Sequence, residues 1–199
     1  MTHRETRSQP SPPHLTPLQL LGTTLRQYRK QRRLSQPALA ARTGIHHTYI
    51  SEIEHGQHNI SVLKLLRLAH ALELCAACLL ARLDPRTPTV AGASLPTQGV
   101  QETSVTREAM PALPPDDADR LLPLLGASLR QSRQQEHLSQ TTLATMTGLS
   151  ATYIGEIEQG QRNLSVLSLL RLADALGLAV AQVLAPLETY QQPSRPPAP

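Results

Sequence analysis

The stretch H46-H-T-Y-I-S-E-I-E-H-G-Q-H-N59 returns 104 residues later as S150-A-T-Y-I-G-E-I-E-Q-G-Q-R-N163. The frame T-Y-I-x-E-I-E-x-G-Q-x-N is kept while the residues set in it change. Extending the alignment outward, Leu21 to Ala81 matches Leu125 to Ala185 without a gap, with 37 identities in 61 positions. The chain is therefore a duplicated unit, and two widely separated copies are too few for a solenoid.

Composition limits what each unit can be. The 199 residues include no Phe and no Trp, four Tyr and 17 Pro, so cores must be built from Leu, Ile, Val and Ala. That suits compact helices. The net charge of +4 permits an acidic partner. No apolar run approaches the roughly 20 residues of a membrane span, and the opening MTHRETRSQPSPPH lacks the apolar segment of a signal peptide. We expect a cytoplasmic protein without membrane contact. Residues 84–119 are rich in Pro, Thr, Ser, Ala and Gly and read as a flexible linker between units at 17–83 and 120–187. A linker of 36 residues has an r.m.s. span of roughly 30–36 Å. The tails 1–16 and 188–199 share its composition and read as disordered.

Each unit reads as five helices, giving an all-α chain. The first runs from about Leu18 to Arg32. Ser35 caps the second, with Pro37 in its first turn, where a missing N–H costs nothing, and Gly44 at its left-handed end. The third begins at residue 46, turns Ile50 and Ile53 inward and closes at Gly56. Ser61 caps a fourth, with Val62, Leu65, Leu66, Ala69 and Leu72 as its apolar stripe. A short fifth covers about Cys75 to Ala81. Ser139, Gly148, Gly160 and Ser165 mark the same points in the second unit.

Two short helices joined by a Gly-containing turn are the plan of a helix-turn-helix. LSQPALAARTGIHHTYISEIEHGQ and LSQTTLATMTGLSATYIGEIEQGQ resemble the Cro/repressor-like, or Xre, family in four features: L-S-Q opening helix 2, A-x-x-T-G before the turn, Y-I-x-x-I-E-x-G, and SVLxLLRLAxAL in helix 4. The resemblance covers both units and neither the linker nor the tails. It implies a prokaryotic or phage-type regulator that binds double-stranded DNA, with helix 3 of each unit in the major groove. Repression is the family's commoner mode.

The resemblance places His47, Thr48, Ser51 and Glu52 toward DNA, matched by Ala151, Thr152, Gly155 and Glu156. Thr bonds several bases or touches a thymine methyl, Glu accepts from cytosine N4, and Ala touches a methyl, whereas Gly155 reads nothing. If both units bind, they prefer different half-sites. Gln36 and Gln140 match the position used against phosphate or a nearby base, or are simply good early-helix residues. Gln57, His58 and Asn59, with Gln161, Arg162 and Asn163, follow helix 3 and suit phosphate contacts, although the two Asn also suit capping of the local turn. Arg29 with Glu54, and Arg133 with Glu158, match the family's internal ion pairs and are assigned a structural role.

Charge separates the copies. Residues 18–83 hold nine Lys/Arg against three Glu, and residues 122–187 hold four Arg against four acids. Arg26, Lys30, Arg32, Arg33 and Arg42 form the excess, with only Arg26 matched by an arginine, Arg130. Because phosphate neutralisation supplies most non-specific affinity, unit 1 should hold DNA more tightly.

Other signals are weaker. Cys75-Ala-Ala-Cys78 is matched by Ala179 and Gln182, so the fold does not need thiols there, and small core side chains are expected. His46, His47, His55 and His58 match no standard zinc spacing. No metal or cofactor is expected, and no catalytic constellation points to an enzyme. The rival reading is an antitoxin-like or adaptor protein whose near-neutral second unit binds a protein partner or another copy.

Overall fold

The computed structural model describes residues 15–84, Arg86 and 118–191. The first unit folds as α1 (Pro17–Gln31), α2 (Gln36–Thr43), α3 (His47–Glu54), α4 (Val62–Ala71) and α5 (Ala76–Leu80). The second repeats it as α6 (Ala118–Gln135), α7 (Gln140–Thr147), α8 (Ala151–Glu158), α9 (Val166–Ala175) and α10 (Val180–Gln191). The architecture is all-α, with one isolated antiparallel bridge, between Ser61 and Ser165, among the described residues. Helix α6 begins two residues before the expected boundary, and α10 runs past 187.

Local chemistry sets the boundaries of the helix-turn-helix. Ser35 Oγ accepts from Ala38 N at 3.2 Å, and Ser139 Oγ accepts from Thr142 N at 3.0 Å, which starts α2 and α7. Both helices end on a glycine at φ 67°, Gly44 and Gly148, a backbone state that side chains with a Cβ resist. The third helices of the two units differ at their start. Ser150 Oγ caps α8 by accepting from Tyr153 N at 3.1 Å, while in α3 the cap is His46, whose Nδ1 meets Thr48 N at 3.4 Å.

The core is aliphatic. Leu21, Leu25, Leu39, Ile50, Ile53, Val62, Leu65, Leu66, Ala69 and Leu72 are all buried, and so are Leu125, Leu129, Leu143, Ile154, Ile157, Val166, Leu169, Ala173 and Leu176. At about 1.5–3 kcal/mol per buried aliphatic side chain, this layer is the main term favouring each unit. Helices α1 and α6 approach the ends of α3 and α8 through a glycine. A Cβ on Gly22 would lie 2.7 Å from the Glu54 carbonyl oxygen, and one on Gly126 would lie 2.8 Å from that of Glu158.

The two units do not hang apart. Their buried apolar residues form one continuous cluster, with α5 packed on α10 and α4 touching α9. Val62 N donates to Leu164 O at 2.9 Å, and Val166 N donates to Ile60 O at 2.8 Å. Asp84, expected to open the linker, is buried: Oδ2 accepts from Val180 N at 2.8 Å, capping α10, and Oδ1 accepts from Arg86 N at 2.9 Å. Arg86 in turn reaches Asp174 Oδ1 at 2.7 Å. The rest of the linker reading, and the tail readings apart from residues 15, 16 and 188–191, lie outside the described residues.

Candidate nucleic-acid interface

Helices α3 and α8 are two-sided. On one side of α3, Ile50, Ile53 and Glu54 are buried; on the other, His47 and Thr48 are exposed, with Ser51 and Glu52 partly so. In α8, Ile154, Ile157 and Glu158 are buried, Thr152 is exposed, Ala151 and Glu156 are partly exposed, and Gly155 is covered. The N-terminal turn of each helix carries backbone N–H groups with a partial positive charge, a setting that favours anions.

A buried three-residue clamp holds each helix. Arg29 Nε and Nη2 donate to Glu54 Oε1 and Oε2 at 2.5 and 2.8 Å, and its Nη1 donates to Leu34 O at 2.8 Å. Arg133 repeats this on Glu158 at 2.6 and 2.9 Å, and on Leu138 O at 2.6 Å. The carboxylates accept a third bond, from Gln36 Nε2 at 2.9 Å and from Gln140 Nε2 at 2.8 Å. Both guanidiniums are raised above their ordinary pKa by the hydrogen bond to the carboxylate, against the opposing effect of burial. Burial works to raise the Glu158 carboxyl, but the bonds from Arg133 and Gln140 outweigh it and hold the group below its ordinary value. Gln36 and Gln140 therefore have their amide nitrogens committed inward, where they tie the start of helix 2 to the end of helix 3.

The outward polar residues are linked in pairs that differ between the units. Glu52 Oε2 lies 3.1 Å from His58 Nε2, whereas Glu156 Oε2 accepts from Arg162 Nε at 2.7 Å. The His58 ring lies tilted against Tyr49, with centroids 5.0 Å apart, and Lys64 Nζ sits 4.2 Å over the Tyr49 ring. Gln57 and Gln161 are exposed, and Gln161 Nε2 donates to Gln159 Oε1 at 3.0 Å.

Asn59 and Asn163 are exposed and lie where the two units meet. Neither caps its own turn; each reaches into the other unit. Asn59 Nδ2 donates to Ser165 Oγ at 2.9 Å and its Oδ1 accepts from Leu167 N at 3.2 Å, while Asn163 Oδ1 accepts from Leu63 N at 3.5 Å. Both polar atoms of the Asn59 side chain, and Oδ1 of Asn163, are thus engaged at the junction, while both residues remain exposed.

The cationic set divides as well. Arg26, Lys30 and Arg33 stand exposed. Arg32 instead pairs with the Glu73 carboxylate and also donates to Glu73 O at 3.1 Å, so its charge is offset within unit 1. Arg42 Nη1 is 3.4 Å from Ala71 O, at the end of α4. Cys75 and Cys78, expected as small core side chains, are joined by a disulfide at the start of α5. Among the described residues no group of three or more His, Cys, Asp or Glu side chains is arranged to hold a metal ion, and no single helix is long and apolar enough to cross a membrane.

Sequence reasoning missed Gly22 and Gly126, which let α1 and α6 approach the ends of α3 and α8, and Asp84, which joins the units. The repetition of Gly at equivalent positions inside a helix was the available signal.

A capped α2, a left-handed turn and a two-sided α3 held by a buried clamp define a helix-turn-helix of the Cro/C1 type, the class of DNA-binding transcription regulators. A helix-turn-helix family profile matches residues 25–75 and 129–183, and the chain belongs to that family. Over 61 residues it is 39% identical to the control protein C.SmaI of Serratia marcescens, covering 31% of this chain and 73% of that protein. Over 65 residues it is 31% identical to the uncharacterized HTH-type transcriptional regulator y4dJ of Sinorhizobium fredii, covering 33% and 84%. Among solved structures, the restriction-modification controller protein C.AhdI from Aeromonas hydrophila is 42% identical, with 31% of this chain and 94% of that chain covered and a TM-score of 0.31.

Proposed function

We propose that this protein is a sequence-specific regulator of transcription that lays α3 and α8 in the major groove of duplex DNA and represses by occupying an operator. The observation that carries this reading is the two-sidedness of α3 and α8, packed and clamped beneath and polar above. His47, Thr48, Ser51 and Glu52 supply the first unit's base contacts, and Ala151, Thr152 and Glu156 the second's. Gln57 and Gln161 supply phosphate contacts, which position the helices without reading sequence. Arg26, Lys30 and Arg33 add the sequence-independent attraction. The similarity to a control protein and to a transcriptional regulator supports the same role. The protein acts in the cytoplasm, on the nucleoid.

The balance of charge in unit 2 favours a second reading, in which that unit binds a protein, as in an antitoxin or adaptor. Against it, unit 2 already has a partner: α9 and α10 pack on unit 1.

Mapping of bound sites across the genome, followed by footprinting, tests the proposal. A discrete set of protected duplex sites is expected. Binding that is equal on all sequences, or no binding near physiological salt, overturns it.

A further inference from the structure

We propose that one chain, acting alone, reads a composite DNA site made of two unlike half-sites in inverted orientation, with their spacing set by the contact between the units. This deepens the DNA-binding reading above and rests on it.

The ground is the reciprocity of the bonds that join the units. Position 62 corresponds to 166 in the repeat, and 60 corresponds to 164. The bond from Val62 N to Leu164 O, 2.9 Å, thus becomes the bond from Val166 N to Ile60 O, 2.8 Å, when the units are exchanged. The same exchange turns Asn59 Oδ1 accepting from Leu167 N, 3.2 Å, into Asn163 Oδ1 accepting from Leu63 N, 3.5 Å. Ser61 faces its own counterpart, Ser165, in an antiparallel bridge. A contact in which each patch meets its own equivalent is isologous and is generated by a two-fold rotation; a head-to-tail relation would set different patches together. The units are therefore related by an approximate two-fold axis at the Ser61–Ser165 bridge.

Orientation on DNA follows from this. Readers related by a two-fold match a duplex whose half-sites are inverted, because the duplex has two-fold axes of the same kind. Direct repeats would need a translation, which these bonds forbid. The spacing follows too, since the segments leaving α3 and α8 enter the bridge within six residues, from Glu54 to Ile60 and from Glu158 to Leu164. The junction, rather than residues 85–117, fixes where the recognition helices lie. The symmetry stops at the readers: Thr48 and Glu52 are matched by Thr152 and Glu156, but His47, Ser51 and His58 face Ala151, Gly155 and Arg162. The halves thus share some base pairs and differ at others. The face that a second copy would need for such pairing is filled by the chain's own second unit, so one chain occupies one site.

Selection of random duplex DNA by the full-length chain, with the native mass of the resulting complex, tests this. The expected result is a motif of two inverted, unlike halves at one spacing, about one helical turn apart, with a single chain bound. Halves in the same direction, identical halves held by two chains, or variable spacing would overturn the inference while leaving DNA binding intact. No enrichment would overturn both.

Val62→Pro with Val166→Pro adds a second test, because these residues open α4 and α9, where proline is tolerated, and the change removes the bridging N–H groups together with a buried valine side chain. Inserting about five base pairs between the halves should weaken the wild type at least roughly tenfold and the double proline variant much less, as a loosened pair loses the advantage of fixed spacing. Val62→Ala with Val166→Ala, which also trims the buried side chains but keeps the N–H groups, should show the same spacing penalty as wild type. An equal penalty in the wild type and the proline variant would count against the junction as the spacer.

Discussion

Arg133 closes a two-pronged grip on Glu158, Nε on Oε1 at 2.6 Å and Nη2 on Oε2 at 2.9 Å, and the carboxylate is only 4% exposed. Removing one partner leaves a buried charge alone. Arg133→Met should therefore destabilise the protein by about 3–5 kcal/mol, and Arg133→Met with Glu158→Leu by less. Denaturant titration of the two variants against wild type measures the difference. Equal losses would mean that the grip matters only through packing.

The same carboxyl makes acid sensitivity specific. Its folded pKa lies below the ordinary value, so its contribution to stability is present above the ordinary glutamate range, about pH 4.3, and is lost as pH falls through the depressed folded value. Thermal melts of wild type should fall in that acid window, and those of Glu158→Gln should fall less steeply. Parallel pH profiles would contradict this.

His46 caps α3 through a 3.4 Å contact, whereas Ser150 caps α8 at 3.1 Å. Serine is the better cap for a helix N-terminus, so His46→Ser should stabilise the chain by about 0.5–1 kcal/mol. A lower midpoint of unfolding would show that the imidazole makes a contact beyond the cap.

Salt dependence separates the cations. Arg26→Ala, Lys30→Ala or Arg33→Ala should each lower the slope of log affinity against log salt by about 1. Arg32→Ala should change it less, because Glu73 already offsets that charge. A larger change at Arg32 than at the other three would place the DNA on the other side of α1.

The repeat made the helical units legible, and Ser35, Gly44, Ser61 and their counterparts mark the helix ends at the residues where the structure has them. These signals are local: a hydroxyl reaching three residues ahead, or a backbone that must turn left. The junction was not legible. Asn59 reads as a turn or phosphate residue because nothing in its neighbourhood shows that Ser165 and Leu167 N lie across from it. Asp84 stands in a Pro- and Thr-rich stretch, and its burial depends on Val180, 96 residues away. Periodicity identified which faces are apolar, but not that α5 and α10 cover each other.

The most direct test is to give unit 2 the reading face of unit 1 and repeat the binding-site selection. Ala151→His, Gly155→Ser and Arg162→His together make the change, and there is room for it: the atoms nearest a Cβ on Gly155 are those of the Gln140 side chain, at 3.6 Å or more. The half-site read by unit 2 should change to the sequence read by unit 1, giving a symmetric inverted repeat, while the other half is untouched. An unaltered selected motif would contradict the claim that α3 and α8 read the DNA.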